Sequence, residues 1–122
     1  MRLLWLLLMI PLSVSAHVWT PTYPTWEQSH IKNVVKVEME LFNRRKDTSY
    51  YSVQVLDSDM KPVPFVTPEK VIHLNYLKKK KVEIYVRRSE MNRAVYICSV
   101  SRILKDDQTK AAVSSRICSK AK

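Results

Sequence analysis

The two cysteines are the residues of this chain whose spacing points most clearly to chemistry. Cys98 and Cys118 each lie in a stretch of alternating apolar and polar residues, and the polar segment 105–110 separates the two stretches. Opposed residues in an antiparallel hairpin have a constant number sum, and 98 + 118 = 216 centres the turn on Gln108. The sulfurs would then face each other within bonding reach. The sequence therefore predicts a disulfide-linked C-terminal hairpin and an oxidising compartment.

The first sixteen residues have the layout of an export signal. Arg2 supplies the positive charge, residues 3–12 are apolar apart from Pro11, and small residues end at Ala16. An apolar stretch of this length is too short to span a bilayer. We therefore expect residues 1–16 to be a cleaved signal peptide and residues 17–122 to be exported to the periplasm.

The chain is strongly basic. It holds 21 Lys and Arg against 11 Asp and Glu, and without Arg2 the balance is 20 − 11 = +9. This sign favours anionic partners such as an acidic protein or an anionic membrane surface. Nucleic acid is not expected as a partner, because no nucleic-acid motif is present. The densest basic run is predicted either to be a solvated turn or to contact an anionic surface; it is Lys78, Lys79, Lys80 and Lys81.

Catalysis finds little support in the residue types. The chain has no glycine, so a phosphate loop and a nucleophile elbow are excluded, and turns must use Asn, Asp, Ser and Pro. No Ser-His-Asp pattern with supporting turns is recognisable, and both thiols are expected to be bridged. We therefore expect a protein that is not an enzyme and that needs no cofactor.

Apolar residues alternate with polar ones along most of the chain, which is typical of half-buried β-strands. Residues on the apolar phase are predicted to face a core; among them are Val37, Met39, Val53, Ile84 and Val86. Residues 17–33, which contain Pro21 and Pro24, are predicted to be an extended arm or an edge strand, where proline is tolerated. About seven short strands in about 100 residues predict an all-β, immunoglobulin-like sandwich over residues 34–122.

Two pairs of segments resemble the N-terminal domain of periplasmic pilus-assembly chaperones. Residues 37–43, followed by 50–57, are similar to a hydrophobic strand that ends in Asn and to a next strand of the type y-x-v-q-v. Residues 64–68 and 82–87 are similar to the family's P-F-x-V-T-P and x-L-R-I runs. The resemblance covers roughly residues 34–120, and it implies an immunoglobulin-like fold and a protein partner.

The end of the chain carries the rest of the resemblance. In one subgroup of the chaperones the last two strands are joined by a disulfide whose second cysteine begins a C-I-K triplet, and Cys118-Ser119-Lys120 stands in that place. The resemblance implies that Lys120 receives a partner's terminal carboxylate; otherwise it is a solvated lysine. The last strand, residues 112–118, is the candidate edge for pairing with a partner, with Val113 and Ile117 as contacts.

The N-terminal arm offers two further candidate sites. Trp19 and Trp26 either anchor a partner or cover the open end of the core. Cleavage after Ala16 would expose His17 with a free α-amine, and this pair of nitrogens can chelate copper if His30 or His73 adds a ligand. The alternative is an accidental terminal histidine.

Three functions of different classes follow from these features. The first is an exported binding module that holds a protein partner, for example a pilus subunit, by non-covalent contacts along a strand edge. The second is a permanent structural part of a conjugation, pilus or secretion apparatus. The third is a copper carrier. Partner release separates the first two functions, and metal content separates the third.

Overall fold

The computed structural model describes residues 17–102 and 115–121, so the predicted signal peptide and Val113 lie outside the described residues. In chain order the strands are β1 (Val18–Thr20), β2 (Glu27–Gln28), β3 (Val34–Phe42), β4 (Tyr50–Leu56), β5 (Val71–His73), β6 (Lys79–Arg87), β7 (Tyr96–Arg102) and β8 (Arg116–Lys120). One turn of 3-10 helix, Arg88–Glu90, follows β6. Within the described ranges no helix is long and apolar enough to cross a membrane.

The strands form two antiparallel sheets of four strands each. In the first sheet β3 pairs with β6 over nine residues, from Val34 opposite Arg87 to Phe42 opposite Lys79. The short strands β1 and β2 pair with β3 as well. The second sheet has the order β5-β4-β7-β8. This arrangement confirms the predicted all-β, immunoglobulin-like sandwich; the described residues form eight strands, where about seven were predicted.

The core lies between the sheets and follows the alternation in the sequence. In β3 every second residue is buried, while Lys36 and Glu38 between them stay in contact with water. The five residues predicted to face inward are each at most 7% exposed, which confirms the predicted strand phase; they are Val37, Met39, Val53, Ile84 and Val86. Side chains of both sheets therefore share one hydrophobic cluster.

The N-terminal arm belongs to the sandwich. Its two short strands run along β3 in succession, and the cis Thr20–Pro21 peptide bond follows the first of them. After this point the chain leaves β3, and the carbonyl oxygen of Thr22 accepts the Lys120 N–H at 3.0 Å. Because Lys120 ends β8, the arm ties the edge of the first sheet to the edge of the second.

The C-terminal hairpin has the predicted register. Cys98 lies opposite Cys118, the two sulfurs are bonded, and the Cα atoms are 4.0 Å apart. The disulfide prediction is therefore confirmed. The predicted turn centre, Gln108, lies outside the described residues.

Turns without glycine place ordinary residues in the left-handed region. Asn33, Met60 and Leu77 have φ of 64°, 65° and 63°. Asn tolerates this region, whereas Met and Leu carry a steric cost of order 1 kcal/mol that the surrounding structure must offset. At Met60 the offset is visible, because the Asp57 carboxylate accepts the backbone N–H groups of Asp59 and Lys61 and closes the turn.

One fully buried amide joins three segments at the end of the core. The Asn43 side-chain nitrogen donates to the carbonyl oxygens of Thr48 and Leu74 at 2.9 and 2.8 Å. Its oxygen accepts the Arg45 N–H at 2.8 Å and the Tyr51 hydroxyl at 2.5 Å. All the hydrogen-bonding capacity of the amide is therefore used inside the protein.

Candidate partner-binding edge

The outer strand of the second sheet, β8, is the candidate partner-binding edge. Its backbone direction can be read from two hydrogen bonds at its ends. Ser101 donates its N–H to Ser115 O at 2.9 Å, and Ala121 donates to Val95 O at 2.8 Å. Odd-numbered residues of this strand therefore direct their backbone groups toward β7. The even-numbered residues Arg116, Cys118 and Lys120 direct theirs away from the sheet.

The outward groups are partly used. Lys120 donates its N–H to the arm at Thr22, and among the described residues no other partner of this outward edge is found. The groups of Arg116 and Cys118 thus form a short row of donors and acceptors at the sheet edge. Such a row is the template on which an extended segment of another chain can add a strand.

Side chains of β8 divide between the two faces of the sheet. Ile117 is half-buried and packs against the core, so it supports the strand from inside and does not project toward a partner. Arg116 and Lys120 are exposed on the other face, and Arg116 approaches the Gln54 side-chain oxygen at 3.5 Å. Ile117 as a partner contact stays a prediction, and this inward packing does not support it.

A polar cluster holds the start of β8 in place. One imidazole nitrogen of His17, Nε2, lies 2.8 Å from Ser99 Oγ, and Nδ1 lies 3.4 Å from Ser115 Oγ. The Arg45 guanidinium lies 3.4 Å from Ser101 Oγ and 3.3 Å from Ser115 Oγ. The first residue of the arm is therefore linked through hydroxyl groups to β7 and to Ser115, the residue that precedes β8.

Burial sets the charge state of His17. The residue is 2% exposed, and loss of solvation lowers the pKa of its imidazole from 6.5 to about 4. Hydrogen bonding to Ser99 opposes this shift, and the positive charge of Arg45 adds to it. His17 is therefore neutral at neutral pH, while the Arg45 guanidinium is held by two hydrogen bonds to the Asp47 carboxylate.

The neutral state of His17 predicts a loss of stability in mild acid. The unfolded chain takes up this proton near pH 6.5, whereas the folded chain resists it down to about pH 4. Stability contributed by His17 is thus complete above pH 6.5 and falls by about 3 kcal/mol as the pH drops toward 4. Urea unfolding at a series of pH values measures this loss.

A matched variant isolates the contribution of His17 from that of the carboxylates. The His17→Gln variant should show a smaller loss of stability than the wild type between pH 6.5 and 4. The His73→Gln variant changes an exposed residue of β5 and should keep the wild-type slope. Equal slopes for wild type and His17→Gln would contradict the assignment.

The three histidines are not brought together. His30 lies edge-on to the Tyr85 ring at 6.2 Å, and His73 packs beside Tyr50 at 4.9 Å. Within the described ranges no group of three His, Cys, Asp or Glu residues is placed to hold a metal ion. Copper binding through His17 stays a prediction, and the hydroxyl contacts at both of its ring nitrogens do not support it.

The two tryptophans of the arm differ in their surroundings. Trp19 is 4% exposed, and its indole N–H donates to Ile97 O at 2.9 Å, so it is a core residue and the prediction of a partner anchor is corrected. Trp26 is half-buried and lines a cavity of about 270 Å³ with Met91 and Ala121. Its indole N–H has no hydrogen-bond partner in the described part of the chain. Trp26 therefore remains a candidate contact.

The basic run 78–81 is not a simple turn. Only Lys78 precedes β6, and the three following lysines begin that strand. Lys80 pairs with Glu69, Lys81 lies 4.0 Å from Glu38, and Lys79 lies over the Phe42 ring. The prediction of a turn is therefore corrected for Lys79 to Lys81, which lie in a strand, whereas Lys79 and Lys81 are exposed as predicted.

Sequence reasoning missed Arg116 and Thr22 at this edge. The outward direction of Arg116 could have been read from the predicted pairing of Cys98 with Cys118. Arg116 is two residues from Cys118, so the backbone groups of both residues point to the same side of the strand. No sequence signal points to Thr22, since its contact with β8 depends on how the arm crosses between the sheets.

Comparison with known proteins supports the fold. No family model matches the sequence, and neither does a curated protein sequence. Among solved structures the chain is similar to the E. coli chaperone DraB, with a TM-score of 0.63 and 18% identity over 87% of this chain and 53% of DraB. It is also similar to the periplasmic chaperone SfaE, with a TM-score of 0.55 and 12% identity over 87% of this chain and 56% of SfaE.

These similarities confirm, at the level of the fold, the chaperone-type immunoglobulin-like domain that the sequence predicts. The chain spans about half the length of the two chaperones.

Proposed function

We propose that this protein is an exported, periplasmic binding module that holds an extended segment of a partner protein along the outer edge of β8. One observation carries the proposal: the backbone groups of Arg116 and Cys118 point away from the sheet at its last strand. The fold likeness to two chaperones supports a protein partner, since a chaperone acts on other proteins. Binding would be non-covalent, through main-chain hydrogen bonds.

The disulfide suits this role. The bond joins β8 to β7 at the middle of β8, and its Cys98 half is fully buried. A strand that is held firmly on one side offers its other side as a template without an ordering cost on binding. The predicted export of the chain agrees with the disulfide, because such bonds persist in oxidising compartments.

A proline at position 116 tests the edge directly. Proline lacks the backbone N–H, and the N–H of Arg116 points outward, so the Arg116→Pro variant should lose partner binding while the pairing with β7 persists. Immobilised protein is exposed to envelope extract, and the bound proteins are quantified. We expect the wild-type partner signal to fall at least tenfold.

Two controls make this result specific. Arg116→Gln removes the same charge but keeps the N–H, and it should retain binding at high salt. Thermal unfolding must show that Arg116→Pro is folded. The Lys120→Ala variant then tests whether the exposed amine of Lys120 contributes to binding by receiving a carboxylate of the partner. Equal binding by Arg116→Pro and Arg116→Gln would overturn the edge proposal.

Exchange of the partner separates a releasing chaperone from a permanent structural subunit. A complex isolated from the envelope is incubated with an excess of labelled free protein. Uptake of label within minutes indicates a module that releases its partner, whereas a complex that resists exchange indicates a building block of an envelope apparatus.

A further inference from the structure

Three cations from separate parts of the sequence meet at one end of the first sheet. Lys32 lies in the turn before β3, and Arg87 and Arg88 lie at the end of β6, opposite the start of β3. The Arg88 N–H donates to Asn33 O at 2.8 Å, which fastens this turn to the end of β6. The three side chains are exposed and line a shared cavity of about 550 Å³.

Among the described residues no acid forms an ion pair with this cluster. Lys32 and Arg87 form no ion pair in the described ranges, and the Arg88 guanidinium donates to the neutral amide oxygen of Gln28. Glu90 lies in the same connection and its negative charge acts on Arg87, but its carboxylate is hydrogen-bonded to Arg93 at 3.0 Å and does not line the cavity. The cavity walls therefore carry three positive charges and no negative one.

The run 78–81 lies at the opposite end of the same strand. Eight residue steps separate Lys79 from Arg87 in β6, which is roughly 27 Å. Two of the four lysines in the run face acids, Lys80 with Glu69 and Lys81 with Glu38. The segment that is most basic in the sequence is thus partly neutralised in the structure, and the cluster that forms no ion pair lies at the other end of the strand.

An exposed aliphatic side chain lies beside the cluster. Ile31 is 49% exposed, and its turn is held rigid because Ser29 Oγ donates to Val34 O at 2.7 Å and accepts the Ile31 N–H at 3.0 Å. An exposed apolar side chain on a hydrogen-bonded turn, next to cations without an ion pair, fits a lipid surface, where phosphates meet the cations and the aliphatic group enters the interface. An acidic protein segment would use the cations but not Ile31.

We propose that the cluster formed by Lys32, Arg87 and Arg88, with Ile31 beside it, docks this protein on the phosphate groups of an anionic membrane surface. This surface is separate from the β8 edge. Failure of the membrane proposal can be distinguished from failure of the edge proposal, because Arg116→Pro should leave vesicle binding unchanged.

Cosedimentation with vesicles tests the proposal. The probe is an equimolar mixture of phosphatidylglycerol and phosphatidylcholine, with pure phosphatidylcholine as the reference. The double variant Arg87→Gln/Arg88→Gln should partition roughly 30-fold more weakly, about fivefold for each cation. The double variant Lys78→Gln/Lys79→Gln removes the same charge, and it should lose less than about threefold because it lies at the far end of β6.

Further variants separate lipid from acidic protein. Ile31→Ser should weaken vesicle binding and leave binding of poly-glutamate unchanged. The single variant Lys32→Gln serves if thermal unfolding shows that the arginine double variant is not folded. Equal losses for the two double variants would overturn the proposal in favour of net charge alone. Wild-type binding to poly-glutamate without binding to anionic vesicles would overturn it in favour of an acidic protein.

Discussion

Replacing Val37 by Asp is expected to unfold the domain. Val37 is 4% exposed in the middle of β3, opposite Ile84, which is fully buried. A carboxylate at this position would be buried without a partner, a change of more than about 4 kcal/mol in the free energy of unfolding. Since a small domain has a total stability of about 5–15 kcal/mol, little folded protein should remain. Circular dichroism and urea unfolding measure the loss.

The neighbouring residue supplies the control. Lys36→Asp introduces the same side chain one position earlier, on the wet face of β3, where Lys36 lies 3.9 Å from Glu83. Repulsion from Glu83 should cost about 1 kcal/mol or less, because both groups are partly exposed. Similar stabilities for the two variants would contradict the strand phase, since a shift of one residue exchanges the two faces.

Replacing Asn43 by Ala is expected to lower the free energy of unfolding by about 4 kcal/mol. The change leaves the carbonyls of Thr48 and Leu74 and the hydroxyl of Tyr51 without their partner, and each buried unsatisfied group costs about 1–3 kcal/mol. Burial raises the pKa of Tyr51 to about 12, so its hydroxyl stays protonated and needs an acceptor. Equilibrium unfolding in urea gives the change directly.

Tyr51→Phe removes one partner of the same amide and tests its share. The Asn43 oxygen would keep the Arg45 N–H as a donor, and the loss should be about 1–2 kcal/mol. A loss for Asn43→Ala no greater than for Tyr51→Phe would show that the amide is not the centre of this network.

The sequence predicted the strand faces well because alternation is a local property. Each residue of a strand faces opposite to its neighbours, so the apolar phase of β3 and β6 can be read without knowing what packs against it. The bond between Cys98 and Cys118 was predictable for a related reason, since hairpin pairing depends on a number sum. Of the candidate site, the pairing of the last strand with the strand before it followed from the same hairpin.

The finer assignments at the site needed contacts between distant segments. Trp19 looked like an interface anchor, yet it is a core residue because the arm folds along β3 and its indole reaches Ile97. The pairing with β7 decides which backbone groups of β8 point outward. The crossing of the arm at Thr22 decides that one of them, the Lys120 N–H, is already hydrogen-bonded.

The distribution of charge shows most clearly what the sequence determines and what the tertiary structure decides. The sequence by itself determined the excess of positive charge and the basic run 78–81. Only the tertiary structure decided which of the described cations form ion pairs: Glu69 and Glu38 face two lysines of the run, while Lys32 joins Arg87 and Arg88 from more than fifty positions away. The physical reason is that strand alternation acts between adjacent residues, whereas burial and ion pairing depend on which segments the fold places side by side.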